Sequence, residues 1–197
     1  MTLGPKVRLT YMDKYITSPP IRHALLVGVV NDDECNLLES KGYQVTKADL
    51  YPRNESIVQL DLTHPPEEMK GKFYLVVASD VLEHIEDDRA AVKGIYELLL
   101  TGGMAYVHVP GGDINAPLDD TDREHGHVRH GYAEEQINQV IKSQPFSNIE
   151  YKKTFNDIET QACLLFRDGN KEAALKKLNT SPFDGKEGRS HLFLLTK

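Results

Sequence analysis

The feature that most narrows what this chain can become is the alternation of short apolar runs with stretches of helical spacing. Ala24-Leu25-Leu26-Val27-Gly28-Val29-Val30 is continuously apolar, as a strand buried on both faces must be. Asn31-Asp32-Asp33 can cap a helix that carries Leu37 and Leu38 and stops at Lys41-Gly42. Strands are expected over 43–48, 56–60, 73–78 and 104–109, the first of these ending at Asp49 and the second followed by Asp61. Residues 87–100 place Ala91, Ile95, Leu98 and Leu99 at helical spacing, with Gly102-Gly103 as the stop. The polar stretch 111–131, rich in Gly, Asp and His, reads as a long loop. A helix over 133–143, a strand over 149–155, one or two helices over 158–178 broken near Gly169, and a strand over 191–196 complete the chain. Strands that alternate with helices specify an α/β fold with a doubly wound, mostly parallel sheet covered on both faces.

A chain of 197 residues suits one domain with a sizeable core. Residues 1–20 read as an N-terminal arm ending in Ser18-Pro19-Pro20, and residues 21–197 as a single domain. At 40% hydrophobic and 27% charged, the composition excludes fibrous, low-complexity and disulfide-rich classes. The net charge of −7 gives no footprint for a phosphate backbone. The nine basic and six acidic residues from Tyr151 to Lys197 are too even to change that, so no nucleic-acid partner is expected. Cys35 and Cys163 fall in helix-like apolar patterns far apart, as small buried hydrophobes of a reducing compartment do. The first residues lack the apolar core of a signal peptide, and no apolar run approaches the roughly 20 residues of a membrane span. A soluble, cytoplasmic protein with no membrane partner is therefore expected. Lys171–Leu178 reads as an amphipathic surface helix with a solvated charged face.

Doubly wound sheets bind ligands beyond the carboxyl ends of their strands. That rule points to the residues after Val30, to Asp49, to Asp61, and to those after Ala78 and Val109. A carboxylate at Asp49 can accept both hydroxyls of a ribose, or it can cap a helix or stabilise a turn. Asp61 can take the exocyclic amine of an adenine while Leu62 packs on the ring, or it is a solvated turn residue.

Ser79-Asp80-Val81-Leu82-Glu83-His84-Ile85, then Gly102-Gly103 and His108-Val109-Pro110, resembles the class I S-adenosylmethionine-dependent methyltransferases. The likeness is to the group whose fourth strand leads into a D-V-L-E-H-I segment. It covers about residues 22–197, because Ser190–Lys197 is similar to that family's antiparallel last strand. The resemblance implies a seven-stranded Rossmann-like sheet, S-adenosyl-L-methionine as cofactor, and Gly28, Asp49, Leu50, Asp61, Leu62, Ser79 and Asp80 as cofactor-binding residues. The first loop departs from the family's acidic residue followed by G-x-G-x-G. Gly28 keeps the first glycine position, Val30 and Asp32 occupy the second and third, and Leu26 replaces the acid. Asn31, Asp32 or Asp33 can take over contact with the cofactor's ammonium.

In this topology the loop after the fifth strand hangs over the methyl group and forms the acceptor pocket. It carries Asp113, Asp119, Asp120, Asp122, Glu124, His125, His127 and His130. Imidazoles titrate near working pH, so His84, His127 and His130 are the candidate catalytic residues, as general base to an acceptor hydroxyl. His84 can equally serve as a hydrogen-bonded scaffold residue. The alternatives are that the carboxylates and histidines bind a divalent metal that orients and acidifies an acceptor hydroxyl, or that they are ordinary polar loop residues; no two-histidine spacing matches a recognised metal motif, and no metal is expected. The leading reading is methyl transfer to a small hydroxylated acceptor, with a sugar hydroxyl preferred because the loop is polar. The alternative is an inactive pseudo-methyltransferase that serves as a binding or scaffold module. An NAD-linked dehydrogenase would need the second and third glycines of its own fingerprint, which are missing.

Overall fold

The computed structural model describes residues 3–197. Its strands are β1 (His23–Val27), β2 (Gln44–Asp49), β3 (Ile57–Gln59), β4 (Phe73–Ser79), β5 (Leu99–Val109), β6 (Asn148–Thr154) and β7 (Ser190–Thr196). They form one seven-stranded sheet in the order β3-β2-β1-β4-β5-β7-β6. The first five strands run parallel, and β7 lies antiparallel between β5 and β6. This is the doubly wound α/β architecture expected from the alternation, with the antiparallel final strand the resemblance implies.

Side-chain alternation divides the interior into two cores. Leu25 and Val27 of β1, Val76 and Ala78 of β4 and Val107 of β5 face the helices α3 (Asp88–Leu98) and α5 (Glu134–Ile141). Ala24, Leu26, Leu75, Val77 and Tyr106 point the other way, towards α1 (Gly4–Tyr15), α2 (Asp33–Ser40), α6 (Asp157–Arg167) and α7 (Lys171–Leu178). Each fully buried large side chain contributes roughly 1.5–3 kcal/mol of transfer free energy. The sheet is therefore held from both sides, and its carboxyl ends are left to the loops. Among the described residues no helix is long and apolar enough to cross a membrane.

Three local expectations change. Residues within the stretch read as an arm form α1, because Leu3, Val7, Tyr11, Met12 and Ile16 make a buried stripe close to helical spacing. Tyr11 also donates from Oη to the buried Glu159 Oε1 at 2.9 Å, which ties α1 to α6. Gly102-Gly103 do not end a helix. The chain leaves α3 at Leu99 in extended conformation, so both glycines lie inside β5, where its register against β4 shifts between Phe73 and Leu75. Two residues without side chains permit that irregularity. The long loop over 111–131 contains a short helix, α4 (Asp120–His125), closed by a capping box between Asp119 and Asp122. The break near Gly169 separates α6 from α7 as expected.

Candidate active site

Beyond β1 the chain turns at Gly28, whose φ is +77° and whose amide donates to Ala48 O at 3.0 Å. A Cβ there would stand 2.7 Å from Val81 Cγ2, so both the conformation and the closeness of the segment after β4 require glycine. A narrow cleft of about 60 Å³ opens above this turn, lined among others by Arg8, Gly28, Asn31, Glu34 and Ser79. Val30 stands at its mouth and is 75% exposed, so it does not plug the space. Asp32 is drawn away by Lys47 Nζ at 3.1 Å, whereas Asn31 and Asp33 remain on the cleft wall.

A chain of polar groups underlies the cleft. Asp80 accepts from Arg8 Nη1 through Oδ2 at 2.8 Å and pairs through Oδ1 with His108 Nδ1 at 2.6 Å. The other nitrogen of His108 meets Thr154 Oγ1 at 2.8 Å. Burial works to raise the Asp80 carboxyl, but the His108 imidazole and the Arg8 guanidinium outweigh it and hold the group below its ordinary value. Asp80 adopts φ +53°, and its amide donates to His108 O at 2.9 Å. Around this chain several buried polar atoms have no hydrogen-bond partner: Arg8 Nε, Ser79 Oγ, Glu83 Oε2 and Tyr106 Oη. Burial pushes the Glu34 carboxyl up to about 7, and burial together with Asp80 pushes Glu83 well above the carboxylate range.

The rim formed by β2 and β3 carries the other predicted residues. Asp49 is half-buried and accepts from Tyr51 N at 2.9 Å through Oδ1. Leu50 beside it is 43% exposed and presents an apolar surface on the rim. Asp61 Oδ1 accepts from Thr63 N at 2.8 Å and Thr63 Oγ1 at 2.6 Å, and these bonds hold the carboxyl below its ordinary value. Leu62 is a correction: it is 3% exposed and packs in the core, so it supports the turn from below instead of offering a face to a ring. The cause is α3, where a Cβ on Gly94 would lie 1.7 Å from Leu62 O. That helix lies directly against the Leu62 backbone, and the Leu62 side chain joins the core cluster it shares with α3.

The third part is the loop after β5. His84 ends a 3-10 turn over Leu82–His84, and its ring meets that of His127 edge-on, the ring centroids 4.7 Å apart. His127 Nδ1 and His130 Nδ1 share the buried Asp122 carboxylate, at 3.0 and 2.6 Å. The hydrogen bond His130 donates to the Asp122 carboxylate raises the pKa of its imidazole. Arg129 is structural: it donates to the carbonyls of Leu82, Ile85 and Glu86 at 2.7–2.9 Å and clamps the loop onto the segment after β4. The structure thus brings His84 and His127 together and anchors His130 beside them through Asp122. Sequence reasoning missed Arg8, Glu34, His108 and Thr154. A histidine inside the apolar run Ala105–Val109 was the available signal for His108.

A sequence profile described as a methyltransferase domain matches residues 27–153. No curated protein matches the chain in sequence. Among solved structures, the chain is similar to a phosphoethanolamine N-methyltransferase 2 of Haemonchus contortus, in complex with phosphomonomethylethanolamine and S-adenosylhomocysteine. The TM-score is 0.67 at 18% identity, over 100% of this chain and 54% of that one. A SAM-dependent methyltransferase from Archaeoglobus fulgidus aligns with a TM-score of 0.61 at 13% identity, over 98% and 94% of the two chains. The N-methyltransferase NodS of Bradyrhizobium japonicum, in complex with S-adenosylhomocysteine, aligns at 0.56 and 17% identity, over 98% and 84%. The chain spans about half the length of the two Haemonchus structures it matches. At these identities the structural likeness speaks for the fold.

Proposed function

The chain belongs to the methyltransferase-domain family, and from that premise we propose that it binds S-adenosylmethionine in the cleft above Gly28 and methylates a hydroxyl of a small polar acceptor. The observation that carries the reading is the unpartnered buried Nε of Arg8, a residue of the cleft wall, beside a turn whose positive φ calls for glycine. Buried polar groups without partners cost free energy, and a polar ligand in the cleft relieves that cost. The residues present fit an amino-acid end: the Arg8 guanidinium suits a carboxylate, and Glu34 an ammonium. Glu34 takes the place of the acid that Leu26 lacks. Asp49 holds ribose hydroxyls, Leu50 covers the adenine, and Asp61 accepts its amine.

When bound, the cofactor supplies an electrophilic methyl on a good leaving group. The chain's own task is then alignment. Asp80 and His108 fix Arg8 and the floor of the cleft, while His84 and His127 face the side where an acceptor enters. A hydroxyl acceptor benefits from an imidazole that takes its proton, and the polar loop over 111–131 suits a polyol such as a sugar. The free cysteines Cys35 and Cys163 fit a cytoplasmic setting for this chemistry.

Calorimetric titration of the full chain with S-adenosylhomocysteine tests the cofactor half. Wild type should bind, and Asp49→Ala should lose roughly tenfold or more in affinity, in line with the loss of hydrogen bonds to a charged group. Saturating ligand with no heat and no thermal shift overturns it and leaves the scaffold reading. Incubation with labelled S-adenosylmethionine and matched polyol and amine acceptors tests the other half, where methylation of amines alone overturns the hydroxyl assignment.

A further inference from the structure

We propose that Glu83, His84 and His127 form a binding site for one divalent transition-metal cation of the Zn²⁺, Co²⁺ or Ni²⁺ kind. One ligand atom from each of the three lies within 4.8 Å of the others. Metal distances of about 2.1 Å place tetrahedral ligands roughly 3.4 Å apart. Small side-chain rotations close that difference.

Glu83 supplies the observation that points to a cation. It is 1% exposed, and its Oε2 is buried without a hydrogen-bond partner. A buried carboxyl oxygen without a partner is costly, and a cation that displaces the carboxyl proton removes that cost. Both histidines have their Nδ1 held by an oxygen. His84 Nδ1 lies 3.2 Å from Gly126 O, and His127 Nδ1 lies 3.0 Å from Asp122 Oδ1. An oxygen on Nδ1 keeps the proton there and leaves Nε2 with a free lone pair. This is the second-shell arrangement that metal-bound histidines use. The amide of Val128 donates to Glu83 O at 2.9 Å, so the backbone holds the two ligand-bearing segments in place before any ion arrives.

The neighbouring trio Asp119, Asp122 and His130 also has its ligand atoms close together, but its oxygens are committed. Asp122 accepts from Asp119 N and pairs with both histidines, and Asp119 Oδ1 accepts from Asp122 N. Two imidazoles and one carboxylate favour a borderline cation over Mg²⁺ or Ca²⁺. Three protein ligands leave a coordination position open. Next to Asp80, and on the reading proposed above, that position would take the acceptor hydroxyl and acidify it. Histidine spacing gave no sign of the site because its ligands come from two segments brought together only by the fold.

The test is titration of the untagged, EDTA-dialysed full chain with Co²⁺, followed by calorimetry and visible ligand-field absorption. Wild type should bind one equivalent. His84→Ala and His127→Ala should each abolish the visible band, and Asp122→Asn should weaken binding roughly 10–100-fold. Calcium should not compete at equal concentration. His130→Asn should leave the stoichiometry intact. Absence of binding to wild type overturns the proposal, as does binding unchanged in the His84→Ala, His127→Ala double variant or lost in His130→Asn. Binding of S-adenosylhomocysteine, measured separately, distinguishes failure of the metal site from failure of the cofactor reading.

Discussion

Asp80 sits at φ +53°, a region where most side chains are strained and where Asp and Asn are tolerated. Its carboxylate joins Arg8 to His108. Asp80→Asn therefore isolates the charge from the backbone effect. It should cost roughly 1–3 kcal/mol in urea unfolding, because Arg8 loses its anion while the local conformation survives. Asp80→Ala should cost more, since it adds left-handed strain; equal losses for the two would refute the backbone part. Glu34 makes a prediction of opposite character. Its folded pKa of about 7 lies above the ordinary 4.5 of a glutamate, so folding favours its protonated form. Its cost to stability is absent below about 4.5 and grows as the pH rises towards 7. Glu34→Gln should then exceed wild type in stability by roughly 2 kcal/mol at pH 8, with the difference shrinking to near zero at pH 4. Urea midpoints at the two pH values check it, and a gap that stays constant with pH would show that Glu34 titrates normally.

Among the elements, α3 does the most to shape the site from a distance. Gly94 lets it lie against Leu62 O, and the turn that carries Asp61 rests on that contact. Gly94→Ala meets a backbone oxygen, which cannot move as a side-chain tip can. It should destabilise the chain by roughly 1–3 kcal/mol and shift the Asp61 turn, visible as displaced amide signals at 61–63. A neutral change would mean that the helix backs away freely. The sheet itself was legible, because strands buried on both faces leave continuous apolar runs such as Ala24–Val27 and Leu75–Ala78. Helix α1 was not. Its stripe of Leu3, Val7, Tyr11 and Met12 is interleaved with Gly4, Pro5 and charged residues, and its burial depends on partners far along the chain such as Glu159. For the same reason Arg8 escaped notice, and so did the polar chain it belongs to. Asp49 and Asp61 were legible as strand-end residues because strand ends follow from the pattern, while the burial of Leu62 was not, because it depends on packing against α3.

At the scale of the whole molecule, the cleft is bounded on one side by α1 and α2 and on another by the ends of β1 and β4, while β6, β7 and α5 lie beyond β5. A ligand that binds only the folded state stabilises it by mass action, about 2.7 kcal/mol at a concentration 100 times its Kd. That stabilisation should be uneven. Closing the gap between Arg8 and Gly28 suppresses local opening of α1 and of the first turn of α2, whose exchange depends on sub-global motions rather than full unfolding. With S-adenosylhomocysteine bound, amide hydrogen exchange should slow over 4–16 and 28–38. It should change least at 134–141, where opening does not expose the cleft. Uniform slowing along the chain, or slowing confined to β6 and β7, would mean that the ligand is held elsewhere and that α1 covers the sheet without taking part in binding.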